Sequence, residues 1–160
     1  MEIERKYLVS SLPKGYDSCP FHEIEQAYLS VNPVIRIRKE DDSYYLTYKS
    51  KGLLIREEYN LPLTEEAYEH LKPKTDGRIL TKKRYLLPFS SFGTPQSFPG
   101  ADTLTIELDL FEGIYQGLAL VEVEFSDQEH AESFVPPTWF GEDVTFSGEY
   151  QNSRLALRAD

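Results

Sequence analysis

The sequence holds a single cysteine, Cys19, so an intrachain disulfide and a thiolate metal cluster are both excluded. Its three histidines, His22, His70 and His130, stand apart from one another and from the charged motifs. That leaves no basis for a histidine general base. No glycine-rich phosphate loop of the Gly-x-x-x-x-Gly-Lys-Thr kind occurs. There is no long apolar run, so neither a membrane-spanning helix nor a secretory leader is expected, and the acidic Met1-Glu2 start also argues against a leader. Positive charge is scarce: 17 Lys and Arg against 27 Asp and Glu leave a net charge of −10. A nucleic-acid binder working through a broad basic face is therefore not expected. A pocket that gathers the few bases together would still hold a small polyanion. The expected setting is cytoplasmic, without membrane or nucleic-acid partners, and a homodimer is compatible with the sequence.

What the sequence does have is alternation. At 160 residues, 40% hydrophobic and 28% charged, it suits one soluble domain over 1–160. Segment after segment places apolar residues in one phase and charged residues in the other, the mark of strands with two unlike faces. Ile35 and Ile37 oppose Arg36 and Arg38; Leu46 and Tyr48 oppose Thr47 and Lys49; Ile55, Tyr59 and Leu61 oppose Arg56, Glu58 and Asn60. Tyr85 and Leu87 oppose Lys82 and Arg84; Ile106, Leu108 and Leu110 oppose Glu107 and Asp109; Val121 and Val123 oppose Glu122 and Glu124. Residues 24–30 add a strand carrying Gln26 and Tyr28, and Glu2, Glu4 and Lys6 share one face of a strand at the start. Helices are few. Thr64 caps a run that halts at Pro73, Ser126 to Glu129 reads as a capping box, and residues 151–158 suit a short last helix. Pro88 to Gly100 reads as a surface connection. The expected fold is mainly β (α+β): an antiparallel sheet of about eight strands, in the range where closure into a barrel becomes feasible.

For any one strand, a charged face simply turned to water is the ordinary explanation. Here the charges are sorted by strand into acidic and basic pairs, which suggests a site with two walls. The acidic set is Glu2, Glu4, Glu58, Glu107, Asp109, Glu122 and Glu124. Hard cations such as Mg²⁺ or Mn²⁺ take carboxylate oxygens. The basic set is Lys6, Arg36, Arg38, Lys49, Arg56, Lys82 and Arg84, suited to phosphate oxygens. A compact polyanion bridged by metal to the carboxylates satisfies both walls.

In order and spacing these motifs resemble the triphosphate tunnel metalloenzymes, or CYTH domain family. The hallmark Glu-x-Glu-x-Lys stands here as Glu2, Glu4 and Lys6, followed by Arg36-x-Arg38, Thr47-x-Lys49, Arg56-x-Glu58, Lys82-x-Arg84, Glu107-x-Asp109 and Glu122-x-Glu124. Tyr150-Gln151-Asn152-Ser153-Arg154-Leu155-Ala156 resembles the family's closing signature. The resemblance implies an eight-stranded antiparallel β-barrel tunnel, charged inside, with short helices packed outside. It implies Mg²⁺- or Mn²⁺-dependent hydrolysis of inorganic triphosphate. Thiamine triphosphatase, adenylate cyclase and a non-catalytic polyphosphate-binding module are the alternatives. It further implies that the basic set holds the phosphates and that Glu107, Asp109, Glu122 and Glu124, with Glu58, help seat a metal. Glu2 and Glu4 would bind a second metal, or its waters, and position the attacking water. Two positions depart from the pattern: Asn60 stands where a further acid is usual, and Gln151 where a base is usual. Parity with Arg84 favours Lys82 over Lys83 as the inward residue.

Overall fold

In a computed structural model, which describes residues 1–157, the alternating segments form nine strands joined in one antiparallel sheet. They are β1 (Glu2–Leu8), β2 (Phe21–Val31), β3 (Val34–Glu40), β4 (Ser43–Lys49), β5 (Ile55–Arg56), β6 (Glu58–Pro62), β7 (Asp76–Pro88), β8 (Thr105–Phe111) and β9 (Ala119–Glu124). Their order across the sheet is β5-β1-β9-β8-β7-β2-β3-β4-β6. The two edges, β5 and β6, are consecutive in the chain and separated only by Glu57. β5 pairs with β1 through Glu2↔Arg56 and Ile3↔Ile55, while β6 pairs with β4 from Lys49↔Glu58 to Tyr45↔Pro62. The sheet is thereby closed on itself, which removes the open edges that a flat sheet would expose. The single strand expected near 54–61 is thus one strand broken at Glu57, and this accounts for nine segments in place of eight.

Local chemistry makes the break. Glu57 leaves the ladder to bond Ser50: its N–H donates to Ser50 Oγ at 2.8 Å, and its carbonyl accepts from the Ser50 N–H at 3.0 Å. Gly52 turns the chain between β4 and β5 at φ +139°, where a Cβ would collide with the Ile55 carbonyl oxygen. Beyond β5, residues 142–145 take over as the neighbour of β1. The Leu8 N–H donates to Glu142 O, and the Val144 N–H to Lys6 O, both at 2.9 Å.

Closure turns the two phases of each strand into an outside and an inside. Outward residues of β1, β9, β8 and β7, among them Tyr7, Val123, Ile106 and Leu87, form the largest apolar cluster. It is covered by α2 (Phe89–Phe92), α3 (Gln128–Ser133) and the segment carrying Phe134 and Phe140. Outward Ala27 and Ile37 pack under Tyr68 of α1 (Glu65–Leu71), whose first turn is held by the Thr64 side chain accepting from the Ala67 N–H. β6 has no such cover: Tyr59 and Leu61 are 66% and 57% exposed. Two boundaries also differ from expectation. Asp127, not Ser126, caps α3, because its carboxylate accepts from the His130 N–H. The Pro88–Gly100 connection contains α2, whose Phe89 is buried against Phe134.

One end of the interior is apolar. Tyr28, Leu80, Phe111 and Leu120 meet Leu155 and Ala156 of α4 (Asn152–Leu157), which plugs that end. Gly77 admits this helix, since a Cβ there would strike the Ala156 carbonyl. Residue 158, expected to end the helix, lies outside the described residues. Tyr115 fixes the plug by donating its hydroxyl to Leu155 O at 2.7 Å. Leu155→Ala removes a fully buried side chain from this contact and is expected to cost about 2–5 kcal/mol, read as a shift in the urea unfolding midpoint.

Candidate active site

The sheet order sorts the charges. Glu2 and Glu4 on β1, Glu122 and Glu124 on β9, and Glu107 and Asp109 on β8 come from three adjacent strands. Lys82 and Arg84 on β7, Arg36 and Arg38 on β3, and Lys49 on β4 come from the opposite arc, with neutral Gln26 and Tyr28 of β2 between them. Directly opposed partners share a face, so register fixes the lining: Glu4↔Glu124, Lys6↔Glu122, Glu107↔Glu122, Arg84↔Asp109, Gln26↔Arg38 and Lys49↔Glu58. Two residues cross the divide, Lys6 into the acidic arc and Glu58 into the basic one.

Between the arcs lies a cavity of about 180 Å³. Twelve of the fourteen expected site residues line it: Glu2, Glu4, Lys6, Arg36, Arg38, Lys49, Arg56, Glu58, Arg84, Glu107, Glu122 and Glu124. The other two, Lys82 and Asp109, do not. Both side chains are fully buried beneath the floor, where Lys82 Nζ donates to Asp109 Oδ2 at 2.8 Å and to Asn152 Oδ1 at 3.0 Å. Arg84 grips the same carboxylate in a fork, Nε to Oδ1 at 2.7 Å and Nη2 to Oδ2 at 2.8 Å. With both oxygens engaged, Asp109 is a support for Arg84 rather than a free metal ligand in this arrangement. Lys82 ties α4 to the floor rather than facing the cavity. Parity pointed Lys82 inward correctly, and Lys83 lies outside against the Phe21 ring; parity gives the face of a strand but not depth along the barrel.

The basic arc is short of anions. Arg36 is buried, and its Nε has no hydrogen-bond partner among the described residues. Arg38 donates from Nε and Nη2 to Gln26 Oε1 at 2.9 and 2.6 Å, a neutral acceptor, and its nearest carboxylate is Glu40 at 3.8 Å. Burial, with Arg36 and Arg84 nearby, pulls Arg38 down to about 9. Burial pulls Lys82 to about 7; Asp109 opposes this, and Arg84 and Arg38 reinforce it.

The acidic arc is short of cations. Burial, then the carboxylates of Glu122 and Glu2, push Glu4 well above the usual carboxylate range. Burial also raises Glu107 against the pull of Arg84, and raises Glu124 with help from Glu107 and Glu58. Glu4 lies beside Glu122 and Glu2 beside Glu58, and in each pair one carboxyl is pushed up while its partner is held down. Glu58 is the member that keeps its charge, at about 2. Burial works against that charge, but the bond from Glu2, the Lys49 ammonium and the Asn60 amide outweigh it. Lys49 bridges Glu2 at 3.0 Å and Glu58 at 3.4 Å. Lys6 sits 3.4 Å from Glu122.

Several lining residues carried little or no weight in the sequence reading. Gln26 bridges Arg38 and the Tyr28 hydroxyl; Gln151, Asn152 and Ser153 bring the start of α4 to the cavity wall. The closing signature was the available signal for the last three, and its polar positions are the ones that face inward. Asn60 does not stand in for a missing acid. Its carbonyl accepts from Thr47 Oγ1 at 2.6 Å and its amide donates to Glu58 at 3.0 Å, so it orients Glu58.

Among the described residues, no group of three or more His, Cys, Asp and Glu side chains forms a ready-made metal cage. The carboxylate pairs nevertheless fit a hard cation such as Mg²⁺, which is commonly held by one or two carboxylates together with substrate phosphates. Asp109→Ala would strip Lys82 of its carboxylate and leave Arg84 only the longer contacts to Glu107 and Glu122. It is expected to lower stability by about 3–5 kcal/mol in denaturant titration; a loss below about 1 kcal/mol would show that the clamp carries no weight.

Known proteins resemble this chain in sequence and in fold. A curated inorganic triphosphatase of Nitrosomonas europaea is 38% identical over 98% of this chain and 97% of its own length. One of Acetivibrio thermocellus is 32% identical over 96% and 92%. A solved crystal structure of an inorganic triphosphatase superposes with a TM-score of 0.68 at 36% identity, covering 99% of this chain and 96% of its own. Solved structures at 16–20% identity and TM-scores of 0.55–0.56 share the fold alone. The profile of the CYTH domain matches residues 1–154, and the chain belongs to the CYTH domain family.

Proposed function

We propose that this protein hydrolyses inorganic triphosphate to pyrophosphate and phosphate, using Mg²⁺ or Mn²⁺, within the charged interior of one domain. The observation that carries this reading is the cavity itself: two facing arcs of opposite charge, with buried Arg36 on the basic side and its Nε without a hydrogen-bond partner among the described residues. An anion of high charge completes one arc and a cation completes the other. The similarity to two inorganic triphosphatases over nearly the whole chain supports the same substrate. The small volume, about 180 Å³, and the polar lining favour a bare phosphate chain over a nucleotide or thiamine bound wholly within it.

In this reading Arg36, Arg38 and Arg84 face the phosphate oxygens from one side, with Lys6, Lys49 and Arg56 completing the ring. Guanidinium forks suit the equatorial oxygens, where charge spreads as the bond to the leaving group lengthens. Asp109 keeps the Arg84 fork aimed, so the arginine does not reorganise during reaction. Glu2 and Glu4 are the residues to hold a divalent cation, with Glu107, Glu122 and Glu124 beside them. When bound there, the cation supplies charge neutralisation on phosphate oxygens. Glu4, once deprotonated, orients the attacking water and accepts its proton on the carboxylate. Where these groups are buried, as Lys6, Arg36, Arg84 and Glu122 are, the exclusion of bulk water strengthens their contacts.

Three results test the reading. Glu4→Gln should abolish Mg²⁺-dependent phosphate release from triphosphate while leaving the circular dichroism spectrum and unfolding midpoint near wild type. Near-normal turnover in that variant would sink the assignment. On a panel of triphosphate, ATP, thiamine triphosphate and long-chain polyphosphate, triphosphate should have the highest kcat/KM; turnover of none with either metal would favour a binding module. Triphosphate plus Mg²⁺ at a hundredfold excess over Kd should stabilise the fold by about 2.7 kcal/mol, and chelation of the metal should reverse part of the rise in Tm.

A further inference from the structure

Beside the cavity lies a second hollow of about 710 Å³ that shares Val34, Lys49, Arg56, Gln151 and Ser153 with it. Its walls are the turn between β2 and β3, the turn at 50–53 and the start of α4. The charged side chains that line it are Lys49, Lys51, Arg56 and Arg154. Among the described residues no carboxylate lines this hollow; Lys49 meets Glu2 and Glu58 on its cavity side. In a chain of net charge −10, this is a local reversal of sign. The four cations are also graded in depth: Lys51 and Arg154 are exposed, while Lys49 and Arg56 are half-buried where the hollow meets the cavity. Glu149 does not line this hollow; it lines an adjoining depression that Arg154 also borders.

The opposite flank of the cavity has the other sign. There Glu107 and Glu124 line a shallow hollow with Thr105 and Ser126, and no cation lines it among the described residues. The cavity thus has a basic approach and an acidic approach. Apolar Val31, Pro33 and Leu53 form part of the basic wall. Low-dielectric walls around charges of one sign focus the field along a cleft.

We propose that the basic hollow is the vestibule through which the polyanionic substrate reaches the cavity, with Lys51 and Arg154 steering it; this rests on the triphosphatase reading above. A triphosphate is repelled by most of this acidic surface and attracted at one mouth. Lys51 and Arg154 capture it at the rim, and Lys49 and Arg56 hand it inward to Arg36. The acidic approach is left for the divalent cation, so the two ligands of opposite charge do not compete for one path. Lys51 and Arg154 touch no reacting atom. Their contribution is to association, and it is screened by salt.

The test compares the double variant Lys51→Glu/Arg154→Glu with Lys14→Glu/Lys74→Glu, which changes net charge equally at exposed positions outside both hollows. At about 0.01 M salt, where charges act over roughly 30 Å, the vestibule variant should lose about tenfold or more in kcat/KM with kcat kept. The loss should fade toward about 1 M salt, where the range is roughly 3 Å. The control pair should stay within about twofold of wild type throughout. Calorimetric binding of triphosphate to the metal-free protein should show the same contrast without any turnover. Equal losses in both pairs, or a vestibule loss that persists in high salt with falling kcat, would overturn the proposal. Absence of triphosphate turnover by the wild type would defeat the triphosphatase reading alone, because the calorimetric comparison still decides the vestibule.

Discussion

Closing a sheet whose strands carry charge on one face forces that charge indoors, and the rest of this molecule follows from that constraint. A solvated charged face costs little; a buried one costs several kcal/mol per unpaired ion. The fold meets the cost by bringing acidic strands β1, β9 and β8 round to face basic strands β7, β3 and β4. Some charges are then neutralised internally, as Lys49 is by Glu2 and Glu58. Others are left incomplete, as Arg36 is on one side and Glu4, raised by burial and its acidic neighbours, is on the other. The incomplete ones define what the cavity binds.

Depth separates two kinds of buried charge. Beneath the floor, Asp109 satisfies Arg84 and Lys82 together, and Asn152 takes a further Lys82 proton. That set is nearly self-sufficient, and it joins three elements, β7, β8 and α4. Above it, charges of the same residue types face the cavity, and some of them, Arg36 above all, are left incompletely matched. Support and recognition therefore use the same chemistry and differ in whether the partner is already present.

Much of this was legible from the alternation alone. Period-two patterning identified the strands and told which of Lys82 and Lys83 points inward, because one buried face fixes register. It also gave the twelve residues that meet at the cavity. Strand order was not legible: nothing local says that β2 lies between β7 and β3, or that the neutral Gln26 and Tyr28 interrupt the basic arc. Depth was not legible either, so Asp109 and Lys82 read as facing the cavity when their side chains pair beneath its floor. The break at Glu57 escaped because it depends on a bond to Ser50, and the covering of strand faces escaped at Tyr59 and Leu61, whose apolar character suggested burial they do not have. Asn60 read as a lost charge, whereas its two hydrogen bonds hold Glu58 in place.

The seam where β5 meets β1 is only two residue pairs long, and Glu2 stands in one of them. It is the least-zipped part of the barrel, and segments with few rungs open first. The candidate cation-holding carboxylates thus sit on the stave most ready to spring. Lys49 already reaches across to Glu2 from the far side of the seam. A cation on Glu2 and Glu4, tied through phosphate oxygens to Lys49 and Arg36, would act as a hoop around that joint. Substrate and metal would then complete the container as well as fill it, and the barrel would be tightest at the moment its contents are committed to reaction.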